Sequence, residues 1–326
     1  MCTAIHLNKS GHYFGRNLDL EYHYNEAVTI TPRNFNFKFK APILNKERYA
    51  IIGMATSIDG FPLYYDAVNE KGLSIAGLNF PQNAFYHSAK NDALNVAPFE
   101  LIPYLLSQCE SIDEALKLLT AINLENRNFS EEFPLTPLHW MLSDKERSIV
   151  IEPLKEGLKI YENPVGVLTN NPPFEAQLVN LQNYSSLTNT SPKDTFSLAT
   201  PFYSKGLGAF SLPGDGSSAS RFVRAAFHKI HATPENNKPA QINQFFRLLK
   251  TVEQPKGSVK TDDGKYHYTV YSSLMDLDEG TYYYTTYEDS TIKGVSLFAE
   301  NLDGNEIISY SIKRNQTFEI INSTER

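Results

Sequence analysis

MCTAIHLNKSGHYFGRNLDLEYHY, residues 1–24, places a cysteine directly behind the initiator methionine and follows it with two strand-like runs around a turn. CTAIHL (2–7) and HYFGRNLDL (12–20) have the alternation and the β-branched and aromatic content of strands, broken at Lys9-Ser10-Gly11. Paired as a hairpin, they bring Arg16 and Asp19 beside Cys2. Core packing gives no reason for a cysteine at the second position, whereas chemistry does. If Met1 is removed, Cys2 becomes the N-terminus, and its α-amine, with a reference pKa of about 7.7–8.0, comes within reach of its own thiol. Such an amine serves as general base for an adjacent nucleophile. A nearby cation, here Arg16, favours the thiolate, and Asp19 is placed to hold the amine. The competing reading is a solvated Arg16–Asp19 pair beside a cysteine with no role, and these residues alone leave both open.

Further strand-like runs follow in AVTITPRNF, RYAIIGMAT, PLYYDAVN and LSIAGLNF, with Asn69-Glu70-Lys71-Gly72 as a hairpin turn. VAPFELIPYLLSQ has helical spacing, and Ser111-Ile112-Asp113-Glu114 reads as a capping box before ALKLLTAI. Strands return in LHWMLSD, SIVIEPL and GLKIYEN. After Pro213-Gly214-Asp215, one helix capped by Ser217 or Ser218 runs through RFVRAAFHKI, and INQFFRLLKTVE forms another. Tyrosine-rich YHYTVYSS, TYYYTTY and KGVSLFA are again strand-like. Strands therefore come in hairpins and do not alternate singly with helices, which predicts antiparallel sheets. An α+β fold, as a four-layer αββα sandwich of two antiparallel sheets flanked by helices, satisfies this order.

The 326 residues carry a formal net charge of −7, 41% hydrophobic and 21% charged side chains. A mildly acidic chain without a Lys/Arg block argues against nucleic acid or an anionic membrane as partner. Two cysteines, Cys2 and Cys109, make neither a disulfide framework nor a metal site and point to a reducing compartment. No basic start precedes an apolar stretch, and no apolar run approaches the roughly 20 residues that span a bilayer. The expectation is a cytoplasmic protein without a membrane anchor. The eight histidines, including His139, show no metal-ligand spacing and no partnered acid, so structural roles are assigned to them and no metal site is expected.

MCTAI, YFGRNLD and ITPRN, followed by AGLNF, NPVGVLTNNP and LPGD-x-SS-x-SRF, resemble the choloylglycine hydrolase family of N-terminal-nucleophile amidases along essentially the whole chain. The likeness is greatest to its bile salt hydrolase branch, with penicillin V acylases as the sister branch. The resemblance implies the αββα sandwich, a single domain over residues 1–326, and a cysteine exposed by loss of the initiator methionine. It implies Cys2 as nucleophile, Arg16 and Asp19 from GRNLD as its supports, Asn171 as a side-chain oxyanion donor and Asn79 as a second donor through its backbone. Arg221 matches the distal arginine, with Arg224, one turn on, as its competitor. Asparagine at position 79 favours the bile salt branch, where penicillin acylases typically carry tyrosine. Lys205 and Leu274-Met275 depart from close relatives at positions outside this set.

The activity implied is hydrolysis of the amide bond of conjugated bile salts through a thioester, with no metal or organic cofactor. The alternatives are a penicillin V acylase-type amidase and a non-catalytic bile-acid-binding protein. Leu20, Tyr24, Ile58, Phe61, Phe133 and Leu142 are the candidates for an apolar steroid site, and each is equally eligible for the core. A homotetramer in the bacterial cytoplasm is expected from the resemblance alone.

Overall fold

The computed structural model describes residues 1–45, 47–194 and 204–322. The chain opens with β1 (Cys2–Leu7), β2 (Tyr13–Leu20), β3 (Ala27–Thr31), β4 (Ile51–Ile58), β5 (Phe61–Asn69) and β6 (Ser74–Asn79). Next come β7 (Leu94–Val96), α1 (Leu101–Leu106), α2 (Ile112–Leu119), β8 (Ile122–Leu124), β9 (Leu138–Ser143), β10 (Ser148–Leu154), β11 (Gly157–Glu162) and β12 (Val167–Leu168). Three helices, α3 (Phe174–Gln182), α4 (Ser218–His231) and α5 (Lys238–Lys250), precede β13 (Val259–Lys260), β14 (Tyr266–Asp276), β15 (Thr281–Thr286), β16 (Lys293–Ser296) and β17 (Ile308–Ser311).

Two antiparallel sheets result. One runs β12-β1-β2-β14-β15-β16 with β13 paired to β14; the other runs β11-β10-β9-β6-β5-β4-β3-β17. Apolar side chains of both sheets meet in one buried cluster that includes Cys2, Ala4, Leu18, Ala76, Leu78, Met141 and Val150, and that continues to Phe222 of α4 and Phe245 of α5. A second cluster packs Ile75, Trp140, Leu142, Ile149 and Ile151 against Leu101, Leu105, Ile112 and Ala115 of α1 and α2. The layers are thus helix, sheet, sheet, helix, as the element order predicts.

The predicted turns form. The β1–β2 hairpin pairs Cys2 with Leu18 and Ala4 with Arg16. Gly72 and Gly157 take positive φ, 92° and 127°, at the ends of two hairpin turns, a region that glycine enters without a Cβ clash. Gly15 is required for closeness: a Cβ there would stand 2.0 Å from the Ser273 carbonyl oxygen of β14. Ser111 Oγ accepts the Glu114 N–H at 3.4 Å, but the Glu114 carboxylate reaches the Glu110 N–H, one residue before the cap expected for a capping box. Elements that local pattern did not reveal are α3, the parallel β7–β8 pair and β17, which returns to the edge beside β3. Among the described residues, no helix is long and apolar enough to cross a membrane.

Candidate active site

Strand pleating divides the neighbours of Cys2 between the two faces of its sheet. Ala4 and Leu18 face the other sheet with Cys2, and so does Arg16. Its Nη1 donates across the sandwich to the carbonyls of Tyr65 (3.1 Å) and Gly77 (2.6 Å). Thr3 faces the helices, where Arg221 of α4 donates to its Oγ1 at 2.7 Å. Cys2 itself is only 2% exposed. Its backbone N–H donates to Asn170 Oδ1 at 2.7 Å, and its carbonyl accepts from Arg221 Nη1.

Two fully buried arginines therefore bracket Cys2. Burial alone would lower the Arg16 pKa, but the negative charge of Cys2, Tyr271, Asp66 and Asp19 outweighs it and holds the guanidinium above its ordinary value. Asp66 lies 4.0 Å from Arg16 Nε and accepts hydrogen bonds from the hydroxyls of Tyr271 (2.5 Å), Tyr282 (2.6 Å) and Ser273 (3.2 Å). Burial raises the Asp66 pKa against these contacts. Arg16 Nη2 is a buried donor without a hydrogen-bond partner among the described residues. Arg221 is shifted down by burial, against the raising pull of Asp19 and Cys2.

Arg221 reaches Cys2 because PGDGSS builds a firm start to α4. Asp215 Oδ1 accepts the Ser217 N–H, Asp215 Oδ2 accepts the Ser220 hydroxyl, and Ser217 Oγ caps the Ser220 N–H. Those hydrogen bonds from Ser217 and Ser220 hold the Asp215 carboxyl well below the usual carboxylate range. The first turn then directs Arg221 at β1, and its Nη2 donates to Asn170 Oδ1 at 2.8 Å. Arg224 instead serves the carbonyls of Thr251, Pro213 and Asp215.

Of the two asparagines in LTNNP, the structure brings Asn170 to Cys2, which corrects the sequence assignment to Asn171. Asn170 Oδ1 takes the Cys2 and Arg221 donors, while its Nδ2 donates to the Asn79 carbonyl at 2.6 Å. The Asn170 N–H is fixed by Ser218 Oγ at 2.8 Å. Asn171 turns the other way and donates to the Pro81 carbonyl. The reason is register: β12 pairs Leu168 with Ala4, so the second residue beyond that pair arrives level with Cys2. Asn79 ends β6 with its Oδ1 buried and unpartnered among the described residues. Asp19 accepts the Thr269 hydroxyl on Oδ1 at 2.6 Å, and its Oδ2 is buried without a partner among the described residues. Its backbone pairs with Met1 in both directions, N–H to Met1 O at 2.9 Å and O from Met1 N at 2.8 Å.

The steroid-site candidates divide. Leu20 closes β2 and packs on the inter-sheet cluster. Tyr24 is exposed, and its carbonyl accepts from Thr56, two residues before Ile58 at the end of β4. Phe61 and Phe133 join one aromatic cluster through Phe129, with ring centroids 5.8 and 6.4 Å from it. Phe61 packs at the margin of the cluster beneath α1 and α2, whereas Leu142 is fully buried inside that cluster, on the sheet face opposite Met141 and Cys2, because alternate residues of β9 point to opposite sides; Leu142 is a core residue. The reading of His139 is also corrected, since it has an acid partner: its Nδ1 lies 3.1 Å from Glu152 Oε1, with both side chains fully buried.

A buried thiol flanked by two guanidiniums, a carboxylate with one oxygen unspent and converging amide groups can attack a carbonyl and hold the oxyanion that forms. Comparison with known proteins points the same way. Residues 2–310 match the model of the linear amide C–N hydrolases, choloylglycine hydrolase family. The chain is 52% identical over 324 residues to the bile salt hydrolase/transferase of Lactiplantibacillus plantarum, covering 99% of this chain and 100% of that protein. A crystal structure of a variant of the conjugated bile acid hydrolase from Clostridium perfringens superposes with a TM-score of 0.88 at 35% identity, over 99% of this chain and 100% of that one. Penicillin V acylase from Agrobacterium tumefaciens shares the fold, with a TM-score of 0.74 at 18% identity over 97% of this chain and 93% of that one.

Proposed function

The chain belongs to the choloylglycine hydrolase family of linear amide C–N hydrolases, and on that premise we propose that it hydrolyses the amide bond of conjugated bile salts, releasing glycine or taurine and the free bile acid, with Cys2 as nucleophile. Loss of Met1 frees the Cys2 amine. That nitrogen already faces Asn170 Oδ1, and Asp19 Oδ2 is the spare acceptor for its protonated form. The amine takes the thiol proton, and the thiolate, favoured by the unspent Nη2 of Arg16, attacks the substrate carbonyl. The oxyanion draws on the second Nδ2 hydrogen of Asn170 and on Asn79. Arg221 holds both the Cys2 carbonyl and Asn170 Oδ1, and so fixes attacker and donor together.

The ammonium then protonates the leaving nitrogen, the C–N bond breaks, and a thioester remains. Water, deprotonated by the same amine, adds to the thioester. The C–S bond then breaks to return the thiol and the free acid. Leu20, Tyr24, Ile58, Phe61 and Phe133 supply apolar surface for the steroid body. In the same reading residues 1–326 act as one domain, assembled as a homotetramer in the bacterial cytoplasm; light scattering tests the assembly.

The observation that carries this reading is the Asn170 side chain. One amide bridges the Cys2 nitrogen, Arg221 and the Asn79 carbonyl, and keeps one N–H unspent. The test measures release of glycine and taurine from glycocholate and taurocholate, with penicillin V as the rival substrate, for the wild type and for Cys2→Ala. Intact mass reports Met1 loss and an acyl or alkyl adduct on Cys2. Turnover of the bile salts by the wild type and none by Cys2→Ala is expected. Activity in Cys2→Ala, or in protein that keeps Met1, would overturn the mechanism.

A further inference from the structure

We propose that His139, braced by Glu152, is a positioning residue that sets the spacing of the two oxyanion asparagines; the inference rests on the assignment of Asn79 and Asn170 above. His139 is fully buried in β9, on the face that looks into the sandwich. Its ring touches both halves of the site. It stacks on Phe80, with centroids 4.1 Å apart and planes within 6°, and Phe80 directly follows Asn79. Its Nε2 lies 2.8 Å from the Thr169 carbonyl oxygen, and Thr169 directly precedes Asn170. Asn79 ends a strand of the eight-stranded sheet, whereas Asn170 follows β12 of the other. One imidazole thus ties the ends of two sheets at the residues that flank the donors. The 2.6 Å bond from Asn170 Nδ2 to the Asn79 carbonyl is the contact such a tie would align.

Glu152 completes the brace. Its Oε1 is 3.1 Å from His139 Nδ1 and also accepts the Phe174 N–H at 3.0 Å, where α3 begins. The asparagine loop is therefore held before Asn170 by His139 and after Asn171 by Glu152. The Thr169 carbonyl can only accept, so Nε2 carries a proton; the contact from Nδ1 to the carboxyl group then requires a second proton within the pair. Among the described residues Glu152 Oε2 is buried and unpartnered. A buried pair of this kind among Leu78, Met141 and Val150 is poorly explained by stability, because apolar residues of similar volume usually serve a core as well or better. An apolar side chain at 139 would fill the space but remove the donor to the Thr169 carbonyl, leaving that peptide plane held from its other edge, by the Asn170 N–H on Ser218 Oγ. Displacement of a catalytic group by about 1 Å typically costs on the order of 10²-fold in rate.

The experiment measures kcat and KM for glycocholate in the mature wild type, His139→Leu and His139→Gln, together with the rate of Cys2 alkylation by iodoacetamide. Alkylation needs the thiolate but no oxyanion hole, so a donor fault separates the two readouts. For His139→Leu, kcat should fall about 10–100-fold, with KM within about threefold and alkylation within about twofold of wild type. Gln, whose amide N–H can meet the same carbonyl, should recover most of the loss. Unchanged kcat in His139→Leu, or an equal fall in kcat and alkylation, would overturn the proposal. Should His139→Leu not fold, Phe80→Leu removes the stacked ring and must show the same split between kcat and alkylation. A wild type inactive on every bile salt conjugate would remove the functional reading and this inference together; an active wild type with a fully active His139→Leu removes this inference alone.

Discussion

Asn170→Ala separates the two asparagines that the sequence leaves side by side. The change deletes an acceptor shared by the Cys2 N–H and Arg221 Nη2, and a donor to the Asn79 carbonyl. Loss of one oxyanion donor typically lowers turnover by about 10²–10³, or about 2.7–4 kcal/mol of transition-state stabilisation. The fold is affected as well. The Cys2 nitrogen, Arg221 Nη2 and the Asn79 carbonyl would each lose a partner at about 1–3 kcal/mol, so roughly 3–9 kcal/mol of stability is at stake before water refills the gap. Asn171→Ala removes only a solvent-exposed bond to the Pro81 carbonyl, worth about 0.5–1.5 kcal/mol. The assay is kcat and KM for glycocholate with each variant, beside a thermal melt and Cys2 alkylation. Asn170→Ala should lose about 10²-fold or more in kcat while the thiol still alkylates, and Asn171→Ala should stay within about tenfold of wild type. The reverse ranking would refute the placement of Asn170 as donor.

An uncleavable extension ahead of Cys2 should abolish turnover and leave the melting temperature close to that of the mature protein, because it blocks the amine while β1 still pairs; turnover by such a chain would exclude the amine as base. His6 in β1 is buried, and burial followed by repulsion from Lys229 pulls its pKa down to about 4 from 6.5. The unfolded chain takes up a proton below about pH 6.5 that the folded chain refuses until about 4, so stability is full above 6.5 and declines as pH falls through that window, by at most about 3 kcal/mol at 1.36 kcal/mol per unit. His6→Leu should flatten melting temperature against pH between these values, and an unaltered slope would count against the assignment. Leu142→Ala should cost about 2–5 kcal/mol of stability with KM unchanged, as for a core leucine. Tyr24→Ala should instead raise KM for bile salts with little loss of stability. A raised KM in Leu142→Ala without a lower melting temperature would return Leu142 to the substrate site.

What the sequence made legible was local. The turn at Lys9–Gly11, the glycines at 72 and 157 and the Ser217 cap are short-range signals, and each falls where the chain uses it. The SRF motif of the family resemblance favours Arg221 over Arg224, and it is Arg221 that reaches Cys2 and Asn170. Long-range pairing left no such mark. β17 returns to β3 across most of the chain, and β12, only two residues long, fixes which asparagine meets Cys2. Leu142 was misassigned because parity decides its side: Met141 and Leu142 are equally apolar, and pleating sends them to opposite cores. His139 was recoverable in part. The β9–β10 hairpin pairs Trp140 with Ile151, so one step further sets His139 opposite Glu152. Its other contacts, to Phe80 and Thr169, join two sheets and depend on how these pack.

The polar atoms around Cys2 also explain why a terminal residue suits this site. Among the described residues Arg16 Nη2, Asp19 Oδ2 and Asn79 Oδ1 are buried without partners, and the Cys2 thiol belongs to the inter-sheet core. Each such atom costs about 1–3 kcal/mol, a sizeable fraction of the roughly 5–15 kcal/mol by which a typical domain is stable. A base brought in on a side chain would need its own strand, its own volume in that core and further satisfied polar groups. The α-amine of Cys2 needs none of these. It shares a Cα with the nucleophile, so covalent geometry fixes their separation. Strand pleating sends the thiol toward Arg16 while the nitrogen stays in the sheet, facing Asn170. With Met1 attached, that nitrogen is an amide and Asp19 Oδ2 remains unspent. Removing one residue converts it to an amine that can donate to the carboxylate, so the same cut that creates the base also offers the spare Asp19 oxygen a partner.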